Sequence, residues 1–570
     1  MKFRIKERTI EYCIRKARKE TQFQKELELR LEHIDEILGS NYNSLEPLYE
    51  ERQRIQKELD HIFAKKSYAA FIRSRSKWIE EGEKSASYFL NLEKKRQIHN
   101  CINKLSDEKG NHYTNDEEIL DHCTDYYSDL YDSKFPKQSS IDKYLSKITT
   151  LPTLSYDSQK QCEGEITIFE CQKAVGLMKN NKAPSSDGLT IEFYKTFWTD
   201  IADTLIGSFN ESFKLGHLSF SQNISILSLI FKKGNTEKLK NYRPISLTNV
   251  DYRILAFTLA LRLQNVISTV VSDNQTGYIR KRFIGTNVRA ILDICDYIEK
   301  NNSSGVLLFL DFEKAFDSVE WPFLISVLKK FNFVAQFIKW IEVLYNNQKI
   351  CIKNNGHISN LFSIHRGIRQ GCPVSALLFI LIIEVLAHQL QNNKSLHGVS
   401  VKTSNTTTEF KSFQYADDVN LFLQDEYEVH KALKVINDFS DMAGPKLNIS
   451  KTEGILLGNL RDKAESITIN TVKWTQNPVK CLGIYIGNDI LKCNHLNWSQ
   501  RLQKVETELD AWKKRSLTLF GKVAIIRTLS IPKLLYPAHF LSVPSEVIRK
   551  ANKMFYAFIW KSKDTYFRYI

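Results

Sequence analysis

The chain has 570 residues, 42% of them hydrophobic and 25% charged, the proportions of globular material long enough for several subdomains rather than one core. Its ten cysteines are scattered singly with no C-x-x-C pair, against a zinc module or a disulfide framework, and no uncharged apolar run reaches the roughly eighteen residues of a membrane span. The formal charge of +15 is unevenly placed, with fifteen Lys/Arg against five Asp/Glu between Leu491 and Ile570, a basic stretch suited to a polyanion such as nucleic acid.

In chain order, residues 1–65 read as a helical hairpin. Leu27, Leu31, Ile34 and Leu38 recur at helical spacing, and Leu48, Ile55, Leu59 and Ile62 repeat the pattern after "GSNYNSLEP". The start, "MKFRIKERTIEY", lacks the apolar core of a signal peptide, so the expectation is an intracellular protein. From Arg73, "RSRSKWIEEGEKSASYFLNLEKK" joins a basic cluster to an amphipathic run, and short helices and loops follow from Gly110 to about Lys160. "SILSLIFKKGN" predicts a strand ending in a basic turn, and "NYRPISLTNVDYRILAFTLALRLQNVI" a proline-containing turn followed by a helix. A buried strand, Val306 to Leu310, ends on Asp311. "HRGIRQGCPVSALLFILIIEVLAHQL" predicts a glycine-containing loop and an apolar helix that is too short to span a bilayer and carries Glu384. "EFKSFQYADDVNLFLQD" predicts a hairpin with Asp417 and Asp418 at its tip.

Two adjacent carboxylates repel and are costly to desolvate unless a cation holds them. If the strand ending at Asp311 neighbours the hairpin, three acidic side chains can converge. Magnesium takes oxygen ligands and is commonly completed by substrate phosphates. Two such ions can activate a 3′-hydroxyl and stabilise a leaving pyrophosphate. Taken singly, an Asp-Asp turn is more often only a turn and a strand-ending Asp more often a cap or turn residue, and periodicity does not show that the two strands touch.

"YADD", "LDFEKAFDSV" and "RGIRQGCPVSALLFIL" together resemble the palm of a reverse transcriptase, in particular those of non-LTR retrotransposons of the long interspersed element type. In order along the chain, "NYRPISLTN" resembles that family's fingers motif, "GPKLNISKTEG" its lysine-bearing motif, "CLGIYIG" its primer grip, and "WKKRSLTLFGKVAIIRTLSIPKLLY" with "FIW" its thumb. The resemblance implies an α/β right-hand polymerase behind a helical N-terminal extension: hairpin or linker 1–65, extension 66–160, fingers 161–300, palm 301–465, primer grip 466–490 and basic helical thumb 491–570. The activity it implies is RNA-directed DNA synthesis with two magnesium ions, manganese being an alternative.

Carried over by residue, the resemblance makes Asp311 and Asp417 the main metal ligands and Asp418 a weaker one. It gives Lys451 the role of general acid, and Phe316 that of a ring under the incoming sugar that excludes a ribose 2′-hydroxyl. Phe312, Gln370 and Gly371 would line the nucleotide pocket, Lys232 and Arg243 bind the triphosphate, and Leu482 and Gly483 hold the primer end. Trp512, Lys513, Lys514, Arg515 and Lys522 would meet the template–primer backbone. The implied partners are an RNA template, a DNA primer and dNTPs, in a ribonucleoprotein with the element RNA that is cytoplasmic and then nuclear, without a membrane.

The sequence departs from the family at Ser185 and Ser186, where Gly-Pro is frequent, at Ala376 and at Tyr415. Neither the family's endonuclease nor a C-terminal Cys/His knuckle is recognisable, so the expectation is a polymerase segment or a truncated copy. A non-catalytic RNA-binding scaffold and a group II intron maturase relative stand as alternatives.

Overall fold

The computed structural model describes residues 2–40, 46–74, 101–402, 406–461, 472–513, 515 and 517–560. The chain divides into two compact units.

The first unit comprises Met1–Asp129, Ile166–Thr258 and Asn346–Ile364. It opens with the predicted hairpin, helices Lys2–Ser40 and Glu46–Ser74. Ile34, Ile55 and Leu59 are buried between them, flanked by Leu27, Leu31, Leu38 and Leu48, as the spacing predicts. The second helix runs past residue 65, and the "RSRSKW" extension beyond Ser74 lies outside the described residues.

The sheet of this unit has the strand order Tyr242–Thr248, Ile224–Phe231, Lys349–Asn354, His357–Ile358, with Phe362–Ser363 also pairing to Lys349–Asn354. The predicted proline-containing turn is therefore a seven-residue strand, Pro244 lying opposite Leu229. It is the edge strand, where a residue without an N–H is tolerated. The loop bearing the two departing serines is held firmly. Ser185 Oγ donates to the Leu247 carbonyl at 2.6 Å, and Ser186 Oγ to Asn249 Oδ1 at 3.3 Å.

The second unit comprises Leu130–Glu165, Leu259–Tyr345 and His365–Ile570. Its sheet runs Ser412–Tyr415, Asp418–Leu423, Ser304–Leu310, Glu453–Gly458, Lys473–Trp474. The central strand, Ser304–Leu310, is antiparallel to both neighbours. Val306, Leu307, Leu308 and Leu310 are all buried, so both faces of the strand are covered, which is why its sequence reads as a continuous apolar run. One face packs on the helix Ile284–Lys300 through Val288, Ile291, Ile294 and Ile298.

The apolar helix is Ser375–Asn392, longer than expected because it continues through a polar tail. By length and composition alone its 18 residues could cross a membrane, yet 72% of the segment is buried inside the protein. Glu384 within it accepts the Ser272 N–H at 3.0 Å, and burial pushes its carboxyl up to about 7. Helices Ile490–Lys513, Leu519–Ile525, Ile531–Ala538 and Ser545–Trp560 follow. They close around Val505, Leu509, Ile525, Ile526 and Phe558.

Candidate active site

Asp311 directly follows the central strand. Leu310 pairs with Val419, so the next step of the same register sets Asp311 opposite Asp418. Directly opposed residues of antiparallel strands have Cα atoms roughly 4.5–5.5 Å apart. Tyr415 pairs with Asp418, which leaves Ala416 and Asp417 as a two-residue turn. Ala416 has φ +54°, a left-handed conformation that costs an L-residue roughly 1–2 kcal/mol. The turn before Asp417 is thus a strained one, as functional sites often are.

The backbone brings all three aspartates to one sheet edge. Convergence of three carboxylates on one point is not reproduced: among the described residues no three His, Cys, Asp or Glu side chains are grouped as a metal site.

Asp311 does have a cationic neighbour. Lys451 Nζ stands 3.5 Å from its Oδ2, with the two side chains 53% and 41% exposed. Two backbone contacts bring the lysine there. Lys446–Leu447 pairs with Phe312–Glu313, and the Asn448 N–H donates to the Asp311 carbonyl at 2.7 Å. Phe312 itself is buried.

Phe316 stacks on the buried Phe379, with ring centroids 4.6 Å apart and planes at 14°. Its carbonyl accepts the Ile368 N–H at 2.8 Å, which ties the segment after Asp311 to the "RGIRQG" loop. In that loop Gln370 Nε2 donates to Asp317 Oδ2 at 2.8 Å, and Gly371 turns the chain at φ +107°.

Leu482 and Gly483 form the two-residue turn between Val479–Cys481 and Ile484–Ile486. Their φ values of +46° and +85° are both positive, as a type I′ turn requires. The Tyr536 hydroxyl donates to the Leu482 carbonyl, and Arg501 donates to that of Gly483 at 2.6 Å. Cys481 Sγ reaches Asn420 Oδ1 at 3.2 Å, linking this turn to the strand that starts at Asp418.

Lys232 and Arg243 belong to the first unit, exposed at one end of its sheet, where the Lys232 N–H donates to the Asn241 carbonyl at 2.9 Å. Among the basic C-terminal residues, the Arg515 guanidinium lies 4.2 Å from the Trp512 ring centroid. Lys513 is paired with Asp510 at 2.7 Å, and Lys522 donates to the Ile559 carbonyl at 2.5 Å. Lys514 lies outside the described residues.

Sequence reasoning passed over Asp317 and Tyr131. Asp317 is 2% exposed and accepts the Tyr131 hydroxyl at 3.0 Å on one oxygen and Gln370 on the other. Burial pushes its carboxyl up to about 7, against the pull of Tyr131, Lys314 and Gln370. Burial also brings Lys314 down to about 8. The available signal was the second aspartate of "DFEKAFDSV", six residues after the first.

A strand ending in aspartate beside a "YADD" hairpin, with a lysine, an aromatic platform and a glutamine loop around it, defines a polymerase palm. Residues 230–486 match the reverse transcriptase (RNA-dependent DNA polymerase) family. The chain carries a reverse-transcriptase domain and has the fingers, palm and thumb of the right-hand polymerase fold, preceded by N-terminal helices. It is 30% identical over 529 residues to the transposon TX1 uncharacterized 149 kDa protein of Xenopus laevis, covering 92% of this chain and 40% of that protein. It is 25% identical over 448 residues to the retrovirus-related Pol polyprotein from the type-2 retrotransposable element R2DM of Drosophila melanogaster, covering 74% and 40%. It is 24% identical over 398 residues to the probable RNA-directed DNA polymerase from transposon X-element of the same species, covering 66% and 42%. The chain spans about two fifths of the length of these relatives.

Proposed function

We propose that the chain is the polymerase segment of a non-LTR retrotransposon protein and copies RNA into DNA from dNTPs. It would extend the 3′-hydroxyl of a nicked DNA, in target-primed reverse transcription. The observation that carries this reading is the register that sets Asp418 opposite Asp311, with the Asp417 turn beside them.

The donor set is hard carboxylate oxygen, which fits magnesium or manganese. Magnesium needs only one or two carboxylates when waters and substrate phosphates complete its shell. Asp311 and Asp417 would hold the ions, with Asp418 an indirect contributor. Bound there, they supply an activated 3′-hydroxyl and charge neutralisation at the leaving pyrophosphate.

The protein's own groups do the rest. Lys451 hands a proton to the leaving pyrophosphate, and Lys232 and Arg243 counter the charge of the triphosphate. Gln370, Gly371 and Phe312 shape the nucleotide pocket, while Phe316 closes the space a 2′-hydroxyl needs. Leu482 and Gly483 hold the primer end. Trp512, Lys513, Lys514, Arg515 and Lys522 meet the phosphates of an RNA–DNA hybrid without reading its sequence. The working state is an intracellular ribonucleoprotein with the element RNA, cytoplasmic and then nuclear.

Primer extension by the purified chain tests this, with an RNA template, a DNA primer, dNTPs and magnesium. The wild type is expected to extend. Asp417→Asn is expected to lose extension while keeping its circular dichroism spectrum and its affinity for the template–primer. A wild-type chain that binds RNA yet adds no nucleotide would be a scaffold instead.

A further inference from the structure

The strained turn before Asp417 is held from outside its own hairpin. The N–H of Ala416 donates to Oε1 of Gln275 at 2.9 Å. Gln275 is fully buried, and the same oxygen accepts the N–H of Gly277 at 2.9 Å. Its Nε2 donates to Gln414 Oε1 at 3.2 Å.

The loop carrying Gln275 runs along the hairpin as an extra strand-like layer. The Gln414 N–H donates to the Asn274 carbonyl at 2.9 Å, and the Thr276 N–H returns to the Gln414 carbonyl at 3.0 Å. Asn287 Nδ2 spans the two segments, donating to the Asn274 and Gln414 carbonyls at 2.9 and 2.8 Å. Arg282 fixes the loop from the other side through the Gln275 carbonyl at 2.7 Å and the Val271 carbonyl at 2.9 Å. The fit leaves no slack, since a Cβ at Gly277 would stand 2.6 Å from the Ala416 nitrogen.

We propose that Gln275 is a positioning residue for polymerisation: its amide oxygen holds Ala416 in the left-handed conformation and thereby aims the side chain of Asp417. The inference rests on the polymerase reading of this site. It also accounts for the residue type. A glutamate would accept the same two N–H groups, but would bring a third negative charge up to a turn that already carries two aspartates. An apolar side chain of equal length would leave the Ala416 N–H buried without an acceptor.

Gln275→Leu removes the acceptor at similar volume. It is expected to lower kcat for single-nucleotide addition about 100-fold, the scale of a small misplacement of a reacting group. The KM for dNTP and the Kd for template–primer stay within about threefold. Amide hydrogen exchange across residues 413–418 accelerates about tenfold as the turn opens locally.

Gln275→Glu keeps the acceptor. Gln414 Nε2, buried and without a hydrogen-bond partner among the described residues, can turn to donate to it. This variant is expected to return exchange protection to near wild type and kcat to an intermediate value. Wild-type kcat in Gln275→Leu overturns the proposal. Where Gln275→Leu does not fold, loss of 413–418 protection in a folded Gln275→Glu overturns it. Asp417→Asn, run alongside, separates the two readings. If it still extends primers, the polymerase assignment fails; if it is dead while Gln275→Leu is fully active, only the positioning role fails.

Discussion

The buried carboxylate of Asp317 takes the side-chain amide of Gln370 at 2.8 Å. With one Nε2 hydrogen engaged there, Gln370 keeps its second N–H and its carbonyl oxygen to offer a ligand. The second carboxylate oxygen is occupied by the Tyr131 hydroxyl at 3.0 Å. Three residues on, Glu320 accepts Ser133 Oγ at 2.6 Å and the Lys134 N–H at 3.0 Å, with Arg366 at 3.4 Å. The segment Leu130–Lys134 is thus stitched both to the turn after Asp311 and to the loop that carries Gln370. Each bond is one of a mutually dependent set, in which leaving a partner unsatisfied costs more than the bond itself contributes.

This relationship is sensitive to pH. Both partners of Asp317 donate, an arrangement that the ionised carboxylate suits best, yet burial pushes that carboxyl up to about 7. As pH falls below 7, protonation weakens the carboxyl as an acceptor for Gln370 and Tyr131, and nucleotide addition is expected to lose rate along an acidic limb centred near 7. Stability runs the other way. A carboxyl whose pKa is raised by folding contributes its stabilisation below the usual carboxylate range and loses it as pH rises through about 7. Asp317→Asn is therefore expected to cost about tenfold in kcat/KM for dNTP at pH 8, to flatten the acidic limb, and to melt higher than wild type at pH 8 but not at pH 5. Rate and melting profiles from pH 5 to 9 check both halves; a wild-type acidic limb retained in Asp317→Asn would sink the assignment.

Phe316 is held flat against Phe379, so its ring has little freedom to yield to a bulkier sugar. Phe316→Ala is expected to raise ribonucleotide incorporation relative to deoxynucleotide by at least about tenfold, close to 1.4 kcal/mol of lost discrimination. Because the ring is only half-buried, the same change is expected to cost about 2 kcal/mol of stability, below the range for a fully buried phenylalanine. Competition between rNTP and dNTP on one template measures the first, and urea unfolding the second. Unchanged selectivity would remove Phe316 from sugar discrimination.

What could be read from the sequence followed from local rules. Helical spacing gave the N-terminal hairpin and its Ile34–Ile55–Leu59 core, and turn chemistry gave the "YADD" hairpin. The motifs placed Asp311, Phe316, Gln370 and Lys451, all of which the fold gathers in one unit. What escaped depends on pairing across long stretches of chain. The strand Tyr242–Thr248 was masked by Pro244, which reads as a turn unless the strand is known to lie at an edge. Tyr131 and Gln275 carry no local pattern, and Asp317 only its place six residues after Asp311. Asp317 meets Tyr131 across 186 residues and Gln370 across 53, and Gln275 meets Ala416 across 141; only the assembled fold shows that they are engaged.

The basic C-terminal helices give an unequal set of cations. Lys513 is held by Asp510 and Lys522 by the Ile559 carbonyl, and the Arg515 guanidinium lies over Trp512, whose ring orients it by a cation–π contact. Arg515→Ala is expected to weaken template–primer binding and to lower the salt-dependence slope by about 1, the signature of one lost phosphate contact. Lys513→Ala is expected to change that slope by less than half as much. Binding isotherms from about 50 to about 500 mM salt, roughly a decade of counterion competition, check the ranking. A larger slope change for Lys513→Ala than for Arg515→Ala would reverse it.

Lys451 tests whether the contact with Asp311 is structural or chemical. At 3.5 Å with both side chains about half exposed, the pair is a surface ion pair, and such pairs contribute about 0–1 kcal/mol to stability. Lys451→Ala is therefore expected to leave the melting temperature within about 2 °C of wild type. A general acid is worth far more to the reaction, on the order of 10²–10⁴ in rate. The variant should thus lose at least about 100-fold in the rate of nucleotide addition, with dNTP affinity little changed. Lys451→Arg keeps the charge and the pairing to Asp311 but holds its proton too tightly to give it up, so it should rescue any stability loss and little of the rate. Single-turnover addition with a normal dNTP, compared with one whose leaving group is more acidic, separates the two roles. If Lys451 supplies the proton, the defect shrinks with the better leaving group; if it only steadies Asp311, the defect is the same for both.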